Sequence, residues 1–236
     1  MSFTERTGKR KAVTFSYDDG VTQDIRLIEL LNKYGLKCTF NLNSELLGKS
    51  NILWREGLRI AHYKIAPADV KAVYDGHEVA VHTLTHPTLT QVQDEDEIVR
   101  QVEQDRENLS ALVGYDVVGM AYPGGGVNHD DRVADILRRR TAVQYSRTTD
   151  LVDSFDPQTD LLQFCPTAYH LDFDKLMEQG KRFIEMKPDT PQIFYVWGHA
   201  FEMDYAPDNW VKLEAFFKLI SGHDDVFYGT NREVLL

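Results

Sequence analysis

Two adjacent aspartates, Asp18 and Asp19, close the apolar run 12–17 and stand just before Gly20. Neighbouring carboxylates repel and raise each other's pKa, so a bound cation or a proton-transfer task would explain the pair. His82 and His86 follow a second apolar run that ends at Val81. One Asp and two His form a ligand set suited to a divalent metal, which leaves the other Asp free to act as a base. Each motif also has a plainer reading. Asp18-Asp19-Gly20 fits an acidic turn with glycine at positive φ. The histidines, four apart, would share one side of a helical turn. Pro87 favours a turn or a short helix start there instead. On spacing alone, surface or core-satisfied histidines are the commoner reading. The two motifs together favour the metal.

Further polar or special residues follow other apolar runs. Tyr122-Pro123-Gly124 opens a glycine-rich turn. It is either a tight connection or a place where backbone N–H groups closely approach a reacting oxygen. His199 follows the run 192–197 and is a packed residue or a general acid, since its unperturbed pKa lies near neutrality. Arg147 follows the run 142–146, where an ordinary rim charge is the plain reading. His170 stands at another strand end, where it would line the pocket. Trp210 begins a helix, the usual place of a packing residue. Cys38, His62, His77, His129 and His223 receive no role.

The elements that must position these groups alternate. Apolar runs at 12–17, 38–42, 78–81, 117–122, 142–146, 192–197 and 226–228 read as strands. Helix-period segments cover 24–34, 67–74, 94–113, 130–140, 173–185 and 209–221. Residues 44–63 are less regular and 150–159 read as loop. This is the pattern of a β/α domain, whose parallel strands converge at their C-terminal ends on one rim. No linker, repeat or low-complexity tract interrupts it, so one domain over 1–236 is expected. The composition, 42% hydrophobic and 27% charged, is that of a globular protein. A formal charge of −11 argues against nucleic acid or an anionic membrane as partner. Two cysteines in apolar surroundings read as free thiols. With no export signal or membrane span in the sequence, a cytoplasmic location is expected. Nothing in these patterns sets the oligomeric state.

Ser16-Tyr17-Asp18-Asp19-Gly20, His82-Thr83-Leu84-Thr85-His86, Pro123-Gly124-Gly125 and Val196-Trp197-Gly198-His199 occur in the order and approximate spacing of four motifs of one family. The chain resembles the polysaccharide deacetylases, also called the NodB-homology family or carbohydrate esterase family four, over about residues 10–230. The resemblance implies an α/β fold, a distorted (β/α) barrel of about seven repeats. It implies a metal-dependent hydrolase that removes acetyl groups from an N-acetylated amino sugar or polysaccharide. Carried over by position, Asp18 is the catalytic base and Asp19, His82 and His86 are the metal ligands. Gly124 supplies an oxyanion-holding N–H, and His199 is the catalytic acid. Tyr122, Pro123, His170 and Trp210 are read as substrate-binding. Zinc is placed first among the ions this set accepts, with cobalt, nickel, manganese and iron as alternatives. The family's usual Arg, two residues before the Pro, is here Ala121, and Arg147 is the replacement considered. The Asp-rich fourth motif has no evident counterpart. Two other readings remain open: an amidohydrolase for a small non-sugar amide or cyclic ureide, and an inactive sugar-binding barrel.

Overall fold

All eight residues of the first strand, Lys11–Asp18 (β1), are buried, as expected for a parallel strand paired on both edges and covered on both faces. The computed structural model describes residues 2–236. The further strands are Cys38–Leu42 (β2), Ser50–Arg55 (β3), Leu58–Tyr63 (β4), Glu78–Val81 (β5), Gly119–Ala121 (β6), Tyr145–Arg147 (β7), Ala168–Tyr169 (β8), Gln192–Gly198 (β9) and Val226–Tyr228 (β10). Seven of them follow one path in the order β7-β6-β5-β2-β1-β9-β8, every pairing parallel, curled into a distorted β/α half-barrel. β10 pairs with residues 11–13 of β1, on the edge that β2 takes over from Phe15 onward. Phe164 bridges Arg147 of β7 in parallel, four residues before β8 begins.

Helices of the expected kind join the strands. Asp131–Arg140 is capped by the Asp130 side chain, which accepts from Val133 N–H at 2.7 Å, and three arginines fill its last turn against the carbonyl end of the dipole. Phe173–Glu185 buries Leu176, Gln179, Gly180 and Phe183. The long helix expected over 94–113 is interrupted: Arg100–Gln104 is wound as a π-helix. That register change is used. The Gln101 carbonyl accepts from Leu84 N–H at 3.0 Å, and the Gln101 side chain holds Thr85. The helix thereby grips the loop that carries His82 and His86.

Two other expectations are corrected. The irregular stretch 44–63 contains an antiparallel hairpin, β3–β4, separate from the main sheet. The strand expected over 142–146 is shifted to Tyr145–Arg147, so Arg147 is its last residue rather than the residue after it. No helix among the described residues is long and apolar enough to cross a membrane. Both cysteines are free.

Candidate metal centre and active site

Successive side chains on a strand point to opposite faces, so Asp18 and Asp19 should diverge. They do not, because Asp19 takes φ +82° and Gly20 φ +62°, which turns the backbone as β1 ends. Both carboxylates then line one cavity of about 390 Å³ with His82, His86, Gly124, Trp197 and His199. Among the described residues four non-glycines have positive φ, and three of them, Asp19, Thr83 and His86, belong to this site. Such conformations cost free energy and persist only where the surroundings enforce them. Here the enforcement comes from Thr83 Oγ1 accepting from His86 N–H at 3.1 Å and from the Gln101 grip on residues 84 and 85. His82 and His86 are thus brought together by an irregular turn, with ring centroids 4.8 Å apart.

Donor atoms of Asp19, His82 and His86 all lie within 4.8 Å of one another. His82 is fully buried, its Nδ1 sits 2.8 Å from the Ala121 carbonyl, and its Nε2 is a buried polar atom with no partner. The Nδ1 contact fixes the proton on that nitrogen and leaves the Nε2 lone pair free, the arrangement of a ligating histidine. Burial lowers the His82 pKa to about 4, so the ring is neutral and able to ligate at ordinary pH. The residues present therefore fit a divalent ion.

Asp19 is held from behind by two groups that received no role in the sequence reading. Lys64 Nζ lies 3.0 Å from Oδ1, and His62 Nε2 lies 3.2 Å from Oδ2. Burial would raise the Asp19 pKa, but the His62 hydrogen bond and the Lys64 charge hold it well below the usual carboxylate range. Their signal lay in the hairpin: His62 belongs to β4 and Lys64 follows it.

Asp18 has different partners. Arg147, completely buried, bonds Oδ2, and Asn41 donates to Oδ1 at 2.8 Å. Arg147 also reaches Ser16 Oγ at 3.2 Å and lies 4.6 Å from the Trp197 ring centre. Burial pushes the Asp18 pKa up, and the Arg147 guanidinium, helped by His82 and His199, outweighs that and lowers it. Arg147→Met is expected to cost about 3–5 kcal/mol of stability, the usual penalty for stranding a buried charge. The double variant Asp18→Asn/Arg147→Met should recover part of it. Denaturant melts of the three proteins measure this.

Opposite Asp18, His199 Nε2 lies 3.9 Å from Asp18 Oδ2, and its Nδ1 lies 3.1 Å from Glu202 Oε2. Glu202 also accepts from the His199 backbone N–H at 3.1 Å and from Tyr169, and meets His170 Nε2 at 2.8 Å. Burial alone would lower the His199 pKa, but Glu202 and the two aspartates raise it to about 9. His170 goes the other way, lowered by burial. The Tyr17 hydroxyl lies 3.0 Å from its Nδ1, so the neutral ring accepts from Tyr17 and donates to Glu202. A Cβ on Gly198 would stand 2.2 Å from the His170 ring, so only glycine permits this arrangement.

Of the residues singled out in the sequence, Asp18, Asp19, His82, His86, Tyr122, Gly124 and His199 border the cavity, with Arg147 buried behind Asp18. Gly124 has φ +86°, and a Cβ there would meet Thr88 Oγ1 at 2.7 Å. Tyr122 turns its hydroxyl away, donating to the Leu162 carbonyl at 2.8 Å. Pro123 is not among the lining residues. Neither His170 nor Trp210 lines the pocket as expected. His170 is sealed beneath it, because Tyr17 and Glu202 use both ring nitrogens. Trp210 is buried elsewhere, its Nε1 donating to Asp204 at 3.0 Å and its ring 4.4 Å from Arg26. Trp197, Thr149, Asn41 and Glu202, with His62 and Lys64, are neighbours of the site to which the sequence reading gave no role.

A family model described as "Polysaccharide deacetylase" matches residues 5–142. No curated protein sequence gives a significant match. Solved structures with the same fold include a family 4 carbohydrate esterase from Streptomyces lividans in complex with acetate. It is 12% identical, with 94% of this chain and 93% of that chain covered and a TM-score of 0.56. Another is the peptidoglycan deacetylase PdaC from Bacillus subtilis, 15% identical over 95% and 90% of the two chains, TM-score 0.53. A third is described as a family 4 pseudoenzyme from Bacillus anthracis. It is 19% identical, with a TM-score of 0.54, and the match covers 96% of this chain and 66% of that one.

Proposed function

From the premise that this chain belongs to the polysaccharide deacetylase family, we propose that it is a metal-dependent hydrolase removing the acetyl group from an N-acetylated amino sugar or its polymer. One observation carries the reading: a carboxylate held ionised and a histidine held protonated face each other at 3.9 Å beside a three-ligand metal set. The relatives include a pseudoenzyme, and against that alternative stand the five convergent groups in this chain.

Asp19, His82 and His86 would hold the ion. When bound, it supplies Lewis acidity toward the acetyl carbonyl and lowers the pKa of water, and zinc is the ion we place first. Asp18 is the general base. Arg147 and Asn41 fix both its oxygens, so the carboxylate is aimed and ionised before a water proton reaches it. The backbone N–H of Gly124 is assigned to the oxyanion of the tetrahedral species, because no side chain stands between it and the cavity. His199 gives its Nε2 proton to the departing amine, which is a poor leaving group without it. Glu202 keeps that proton in place through Nδ1. The products are free amine and acetate.

The test is acetate release from N-acetylglucosamine oligomers before and after treatment with a chelator. Activity is expected to vanish with the metal and return on adding one equivalent of zinc. Full metal loading with no acetate from any sugar would sink the reading in favour of a small-amide substrate.

A further inference from the structure

Glu202 is buried, and three donors converge on one of its oxygens. His170 Nε2–H donates to Oε2 at 2.8 Å, the His199 backbone N–H donates to it at 3.1 Å, and His199 Nδ1 stands 3.1 Å away. Oε1 accepts from the Tyr169 hydroxyl. A carboxylate oxygen offers two lone pairs, so three donors cannot all align on it. The one left short is His199 Nδ1, which lies at ion-pair distance without an aligned hydrogen bond. His170 holds the shortest of the three contacts.

His170 has little freedom to do anything else. It follows β8 and is fully buried, with its backbone N–H on the Trp197 carbonyl at 3.0 Å. The Tyr17 hydroxyl donates to Nδ1 at 3.0 Å, which fixes the ring proton on Nε2 and aims it at Glu202. Tyr17 is fully buried as well, and neither ring lines the metal cavity. An apolar pair would fill the same space without the cost of burying polar groups. What the pair acts on is Glu202. Burial would raise the Glu202 pKa, and the His170 hydrogen bond is the leading influence that brings it below the usual carboxylate range, ahead of His199.

Resting on the reading of His199 as the general acid, we propose that His170 is a positioning residue: by occupying Glu202 Oε2 it loosens the carboxylate's hold on the His199 proton, which can then pass to the departing amine. A hydrogen bond donated to a carboxylate lowers its basicity. A general acid works best with a pKa near the operating pH, and His199 already stands at about 9. Asp18 and Asp19, at the end of β1, pull the His199 proton the same way as Glu202, and Arg147 lies behind Asp18. Around Glu202 on its far side stand His170, Tyr169, Tyr17 and Tyr205. Burial raises the three tyrosines and lowers His170, so all four are neutral. The effect of His170 therefore passes through the shared oxygen and not through a second charge.

The experiment follows the His199 ring by NMR titration of zinc-loaded protein carrying isotope-labelled histidine, with His199→Gln identifying the signal. His170→Phe keeps a ring in place and removes the donor. It is expected to raise the His199 pKa by about one unit, the worth of one hydrogen bond to a charged group. The alkaline limb of kcat should move up with it, opposite in sign to the loss of the Glu202 carboxylate. His170→Gln keeps an N–H donor and should reverse most of the shift. Tyr17→Phe frees the His170 tautomer and should give a smaller shift of the same sign, which keeps the test open should His170→Phe fail to fold. A His199 pKa that is unchanged or lowered in the folded variants, whatever happens to kcat, overturns the proposal. A raised pKa in a protein that releases no acetate from any sugar upholds the role of His170 and overturns the deacetylase reading instead.

Discussion

Asp18→Asn is expected to keep its metal and lose about 10²–10⁴-fold in kcat, the range for removing a positioned general base. The amide is nearly the shape of the carboxylate and can still accept from Arg147, so the fold should survive. Asp19, which supplies the ligand oxygen, is untouched. Metal analysis and single-turnover acetate release on the same sample separate the two aspartates. Loss of metal together with activity would show that Asp18 is a ligand and not a base. Asp19→Asn should do the reverse and lose the metal first.

Glu202→Gln is the second large effect, and its sign is fixed by the ionisation of His199. Burial pulls that histidine's pKa down, and Glu202 is the leading influence that lifts it to about 9. A general acid works only below its pKa, so removing the carboxylate should move the alkaline limb of kcat to lower pH. A fall of about two units would leave only about a tenth of His199 protonated at pH 8, so activity there should fall about tenfold, and much less at pH 6. A uniform drop at all pH values would mean that Glu202 is merely structural. Stability follows the same linkage. The raised pKa of His199 makes a contribution that is complete below about pH 6.5 and disappears as pH rises through about 9. Melting curves of the parent should show that decline, and those of Glu202→Gln should not.

Much of the barrel was legible because apolar runs stop abruptly at chemically distinctive residues. Asp18 and His82 each follow a run that is buried throughout. The hairpin was not legible, for a reason now visible. Its inner face carries Lys49, Asn51 and His62, while Trp54 on its outer face is exposed, so the period-two contrast of a half-buried strand never forms. Its two-residue turn, Glu56-Gly57, has positive φ at both positions, with Glu where Asn or Asp is the usual signal. Missing the hairpin meant missing His62 and Lys64. Glu202 escaped because it sits on a short 3₁₀ turn after His199, where Glu202 and Asp204 between aromatics carry no periodic signal. His170 does follow a strand end, after β8, but its ring is tied to Tyr17 and Glu202 beneath the cavity, which nothing in the sequence signals. The Asp18–Asp19 adjacency could be read as chemistry, but not the backbone turn at Asp19 that lets both carboxylates share a cavity.

The pairing of β10 with the opening residues of β1 bears on how the molecule is made. Lys11, Ala12 and Val13 wait for Val226, Phe227 and Tyr228, and Thr14 waits for Asn231, whose side chain also reaches Tyr195. During synthesis the strand that ends at Asp18 therefore emerges long before its last neighbours exist. Ring closures of more than 200 residues are slow steps. A nascent chain would hold the opening residues 11–13 of its first strand unpaired on that edge until translation nears Tyr228, while β2 already covers the edge from Phe15 onward.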